Sequence, residues 1–141
     1  MTTTNYNRQD VGLFLIRAML AAVFLFHGSQ KLFGIFDGPG LAGFATWLDS
    51  LGVPMPTLNA YLATFAEFFG GLALLVGYQV RLASIPLAIT MLVGAVTAHS
   101  GFNFTKGGME YPLTLAVVLV ALFLIGGGKL SISNLISSDQ D

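Results

Sequence analysis

The stretch VGLFLIRAMLAAVFLFHGSQKLF, residues 11–33, decides what kind of molecule this chain is. Only Arg17, His27, Ser29, Gln30 and Lys31 interrupt its apolar character. A helix needs about 20 residues, at 1.5 Å of rise each, to cross roughly 30 Å of hydrocarbon. The run is long enough to cross. It is also longer than a signal-peptide core, contains an arginine, and is followed by no small-x-small cleavage site, so it reads as a retained first span.

Working outward, three more runs have the same character. Residues 57–78 carry one charge, Glu67, while 82–99 and 111–128 carry none. Pro86 near the start of the third run is tolerable in a first turn or as a kink. The fourth run stops at Gly126-Gly127-Gly128, with Lys129 behind it. Composition agrees: 55% of the 141 residues are hydrophobic and 9% charged, with a mean hydropathy of +0.77. A soluble domain carries roughly 25% charged residues. A net charge of −1 offers no handle on polyanions, which excludes a nucleic-acid binder. The absence of cysteine excludes disulfides, thiolate metal sites, iron–sulfur clusters and thiol chemistry within the chain.

The expected architecture is an all-α membrane protein, an antiparallel four-transmembrane-helix bundle with a short interfacial amphipathic helix between spans one and two. The spans are placed at 11–33, 57–78, 82–99 and 111–128, within a single transmembrane domain over 11–131. A polar N-terminal segment, 1–10, and a polar C-terminal tail, 132–141, flank it. The interfacial helix is expected at 41–51, after the turn signal Asp37-Gly38-Pro39-Gly40, where Leu41, Phe44, Leu48 and Leu51 recur at helical spacing beside Trp47. Four crossings use about 80 residues, so no separate soluble domain fits. Arg8, Arg17, Arg81 and Lys129 fall on one side, Lys31 and Lys106 on the other with Asp37, Asp49 and Glu110. That count places both termini in the cytoplasm.

The informative residues are the charges inside the spans, because an unpaired one there costs several kcal/mol. Helix rise sets Arg17 about 9 Å in from Val11 and Glu67 about 16 Å in from Tyr78. The difference of about 7 Å is within a long arginine's reach, and a buried Arg17–Glu67 ion pair is expected. It would either staple helices one and two or belong to a functional site. Gly70, Ala73 and Gly77 share one face of the second helix, a pattern that admits a neighbouring backbone and mostly serves packing. At the outer end of helix one, His27 and Lys31 are four apart and share a face. His99 ends the third span at nearly the depth of His27, and Glu110 opens the fourth. His27, Lys31, Glu67, His99 and Glu110 are therefore candidates for one outward pocket and proton relay, with Lys31 equally able to snorkel to water. No catalytic residue and no metal site is singled out.

Arg17, then His27-Gly28-x-x-Lys31-Leu32, then Glu67-x-x-Gly70-Gly71-Leu72-Ala73-Leu74-Leu75-x-Gly77 and Arg81 resemble the DoxX family of small four-helix membrane proteins. Ala98-His99-x-Gly101-Phe102 and Gly126-Gly127-Gly128-x-Leu130-Ser131 are similar to it as well, so the resemblance covers about Val11 to Leu130. It implies a place in a bacterial-type inner membrane and association with membrane redox processes. One branch resembles the membrane subunit of thiosulfate:quinone oxidoreductase, and most members have no assigned reaction.

Three functions stay open at this stage. In the first, the chain is a quinone-interacting membrane subunit of an oxidoreductase. Its apolar slot holds the ring, His27 and His99 supply protons, a side chain's role suited to histidine near neutral pH, and a soluble or membrane partner brings the electrons. In the second, it is a scaffold that anchors a soluble redox enzyme through Trp47 and the interfacial helix, without catalysis of its own. The third, b-type haem with His27 and His99 as axial ligands, rests on two lone histidines and has the weakest support. No covalent cofactor is implied. The lipid bilayer is the expected partner, and small-residue faces permit a homo-oligomer.

Overall fold

The computed structural model describes residues 6–138. Among them the chain is all-helical, with six α-helices, one 3-10 turn and no strand. α1 spans Arg8–Phe33, α2 Gly40–Ser50, α3 Pro56–Val76, α4 Val80–Thr97, α5 Glu110–Ile125 and α6 Ile132–Ser138. The 3-10 turn, Phe104–Lys106, lies in the loop before α5. α6 occupies most of the segment expected as a polar tail. Residues 1–5 and 139–141 of the two expected polar ends lie outside the described residues.

Local chemistry sets the helix ends. Asn7 Oδ1 accepts from the Asp10 backbone N–H at 2.9 Å while Asp10 Oδ2 accepts from the Asn7 N–H at 3.0 Å, a reciprocal cap that starts α1. Asp10 Oδ1 also accepts from the Lys129 N–H at 3.3 Å, which ties that cap to the segment after α5. Pro56 opens α3, where its missing N–H costs nothing. α3 ends at Gly77, which takes up φ +74°.

α1, α3 and α4 are long and apolar enough to cross a membrane. α5 has 16 residues and leaves the helix at Gly126, short of the expected 111–128. Close packing joins α1 to α3, α3 to α4 and α4 to α5, and α2 lies across α3 and α1. Small residues let α1 and α3 approach closely at two points. Gly28 stands against the Phe68 backbone and Gly71 against Leu25, so a Cβ at either position would meet the neighbour at about 3 Å. Gly70 instead receives the Leu87 side chain of α4. The face expected of Gly70, Ala73 and Gly77 is thus divided, because Gly70 meets α4 while Gly77 meets Arg17 of α1 and Ser131. Leu20, Phe24, Leu74, Leu87, Leu119 and Leu122 form the core where the four long helices meet, and a smaller cluster of Phe44, Leu48 and Ala60 fastens α2 to α3.

Candidate functional site

Gly28 opposite Phe68 and Leu25 opposite Gly71 fix the register of α1 on α3. In that register Glu67 lies level with Ser29, and Lys31 stands only one or two residues further out. Lys31 Nζ reaches inward and donates to both Glu67 oxygens, at 2.6 Å to Oε1 and 2.5 Å to Oε2. Glu67 is 2% exposed and the Lys31 side chain 18%. The ammonium also lies 4.7 Å from the centre of the Phe44 ring, a cation–π contact that brings α2 over the pair.

The same register rules out the expected Arg17–Glu67 pair. Arg17 lies level with Gln79, so about 18 Å of helix rise separates it from Glu67. The depth comparison failed because α1 starts at Arg8, well beyond the end of α3, and the two spans do not begin at one level. Arg17, 1% exposed, finds backbone instead. Its Nη1 donates to the Leu74 carbonyl at 3.1 Å and its Nη2 to the Leu130 carbonyl. Leu74 is in the last turn of α3, where carbonyls lack helical partners and carry the negative end of the helix dipole. Arg17 therefore caps α3 and ties it to the segment after α5. Lys31, expected to be as able to snorkel outward, is the partner that Glu67 takes.

The pair lies in the wall of a cavity of about 860 Å³, lined from α1 through α5. That is at the upper end of the roughly 300–1,000 Å³ typical of small-molecule sites. Its walls are mainly apolar, with Val23, Phe24, Leu62, Ile89, Met91 and Leu115 among them. His27, Lys31, Glu67 and His99 all line it. His27 is exposed, with the Phe26 ring edge-on at 5.5 Å. His99 is half-buried, and its Nδ1 lies 2.9 Å from the Gly94 carbonyl. A carbonyl only accepts, so Nδ1 carries the hydrogen and Nε2 is left over.

Glu110 does not line the cavity. Its Oε1 accepts from the Phe104 N–H at 2.8 Å and so closes the loop before α5. Among the described residues no group of three or more histidine, cysteine or acidic side chains could hold a metal ion. The arrangement can bury an apolar ring against a polar end that holds a compensated charge pair.

A family model described as DoxX matches residues 12–100. The chain belongs to the DoxX family. Curated relatives span nearly its whole length. "Inner membrane protein YqjF" of Escherichia coli (strain K12) is 29% identical over 92% of this chain and 95% of its own. "Putative oxidoreductase CatD" of Bacillus subtilis (strain 168) is 24% identical over 87% and 85%. An uncharacterized protein of Haemophilus influenzae is 30% identical over 89% and 83%. No solved structure matches.

Sequence reasoning missed several residues of this DoxX cavity. Phe44 was assigned to the amphipathic face of the interfacial helix, but its place over Lys31 depends on how α2 lies on α1 and α3. Asn59, Thr90 and Tyr111 also line the cavity. Asn59 carried a readable signal, as a lone amide within the apolar run 57–78. Thr90 and Tyr111 carried none.

Proposed function

We propose that this DoxX protein crosses an inner membrane four times, with both termini in the cytoplasm, and binds a small aromatic, quinone-like molecule as the membrane component of a redox system. The observation that carries the reading is the large apolar cavity with the Lys31–Glu67 pair in its wall. A quinone or its reduced form needs a slot for ring and tail together with polar groups near its oxygens, and the cavity walls offer both. The inner-membrane name of YqjF and the oxidoreductase name of CatD are consistent with it. In this reading α5 is the fourth span. Its 16 residues cover about 24 Å, and the flanking turns make up the rest of the crossing.

The test is titration of a soluble quinone analogue, in its oxidised and in its reduced form, against the full chain in detergent, beside His27→Ala and His99→Ala. Saturable binding that weakens in both variants supports the proposal. Equal affinity in all three proteins, or no binding at all, overturns it. The reading left would then be an anchor for a soluble redox enzyme, docked on the exposed face of α2 around Trp47.

A further inference from the structure

The hydrogen-bond inventory of the cavity is lopsided. Apart from one N–H of Lys31, each buried or half-buried polar side chain in its wall has its donors committed inside the protein. His99 Nδ1–H is given to the Gly94 carbonyl, which in the neutral ring leaves Nε2 as an acceptor. Asn59 Nδ2 donates to the Pro54 carbonyl at 2.6 Å, leaving Oδ1. The Thr90 hydroxyl donates to the Pro86 carbonyl at 2.9 Å, leaving its oxygen lone pairs. Glu67 is acceptor-only as a carboxylate, with lone pairs beyond the two that Lys31 uses. Lys31 has two donors on Glu67 and its ammonium against Phe44. At exposed positions of the lining, the Thr97 hydroxyl donates to the Val93 carbonyl at 2.8 Å, and His27, Trp47 and Tyr111 are the donor-capable side chains that remain.

From this imbalance we infer that the cavity selects the reduced, dihydroxy form of its aromatic ligand over the quinone. The inference rests on the proposed ring-binding function and adds the redox state that the site prefers. A quinone offers only acceptors, and burying its oxygens against Glu67, His99 Nε2 and Asn59 Oδ1 leaves acceptor facing acceptor. A hydroquinone brings two O–H donors to those same atoms. The desolvation penalty of unmatched polar groups makes that difference large. Two neutral hydrogen bonds correspond to about tenfold or more in affinity. By linkage, a tenfold preference raises the midpoint of the bound two-electron couple by about 30 mV, which makes the bound quinone easier to reduce.

Three ligands of one ring shape test this against the full chain in detergent, without oxygen, by calorimetry. They are duroquinone, durohydroquinone and the dimethyl ether of durohydroquinone, which keeps the ring and loses both donors. The expected order is durohydroquinone at least tenfold tighter than either of the others. Equal binding of all three, or quinone binding tighter than hydroquinone, overturns the inference and leaves the ring-binding function standing. Binding of none overturns both. No variant is needed, so failure to fold cannot obscure the result.

Discussion

Lys31 Nζ stands 2.5–2.6 Å from both carboxylate oxygens of Glu67, yet the two residues differ in their access to water. Glu67 is closed off at 2% exposure, whereas the lysine keeps 18% of its side chain open near the end of α1. Removing either partner is therefore not equivalent. A lysine that loses its carboxylate can swing its flexible stem outward, as such side chains do at interfaces. A glutamate that loses its lysine cannot follow.

Lys31→Met should cost about 3 kcal/mol or more, the penalty of an uncompensated buried charge. Glu67→Gln should cost less, about 1–2 kcal/mol, because hydrogen bonding is only partly lost and the cation can reach water. The double variant Lys31→Met/Glu67→Leu should recover most of the loss, since hydrophobic replacement of a buried pair is often neutral. Thermal unfolding in one detergent ranks the three. Glu67→Gln proving the worse single change would contradict the asymmetry.

Arg17 and Gly77 make a second dependent pair, at the opposite end of the bundle. Gly77 has φ +74°, and a Cβ there would run into Arg17 Nη1 and the Ser131 side chain. Gly77→Ala should cost about 2 kcal/mol or more from backbone strain and displacement of the guanidinium. Arg17→Lys should not restore stability relative to Arg17→Met, because one ammonium cannot reproduce a planar fork set on the Leu74 and Leu130 carbonyls. Unfolding midpoints measure both, and an Arg17→Lys protein as stable as wild type would discount the fork.

How far the fold was legible follows from these same residues. Long apolar helices show in sequence as uninterrupted apolar runs, and the runs at 11–33, 57–78 and 82–99 correspond to α1, α3 and α4 with ends within three residues. The short helix expected at 41–51 was equally plain, because Phe44 and Leu48 recur on the face that α2 buries. Partner choice for the intramembrane charges was not legible. It depends on interhelical register, which Gly28 and Gly71 set through contacts that no single-helix periodicity contains. It also depends on backbone carbonyls as partners, and those have no signature in residue type. Glu110 shows a related limit. Its depth suited the cavity, but a loop N–H two turns of chain away was the nearer partner.

The proposed topology can be checked directly, since the chain contains no cysteine to remove. Single cysteines at Tyr78, in the turn between α3 and α4, and at Lys106, in the loop before α5, should report opposite sides. An impermeant thiol reagent added to intact cells is expected to label Lys106→Cys and to spare Tyr78→Cys until the membrane is opened. Labelling of Tyr78→Cys from outside would reverse the orientation.

Ala66 gives the sharpest separation between the cavity as a binding site and the cavity as a packing defect. It is half-buried, lines the cavity and directly precedes Glu67. Ala66→Leu adds three carbons to unfilled apolar space, where each buried carbon stabilises by about 0.8 kcal/mol. The variant should melt no lower than wild type while its affinity for a quinone-like ligand falls by about tenfold or more, as the loss of even part of the ring's contacts implies. Ala60→Leu is the matched control. Ala60 is fully buried in the close-packed cluster with Phe44 and Leu48, so the same enlargement there should destabilise by about 1–3 kcal/mol. An Ala66→Leu protein that binds ligand like wild type would mean that the ring lies elsewhere.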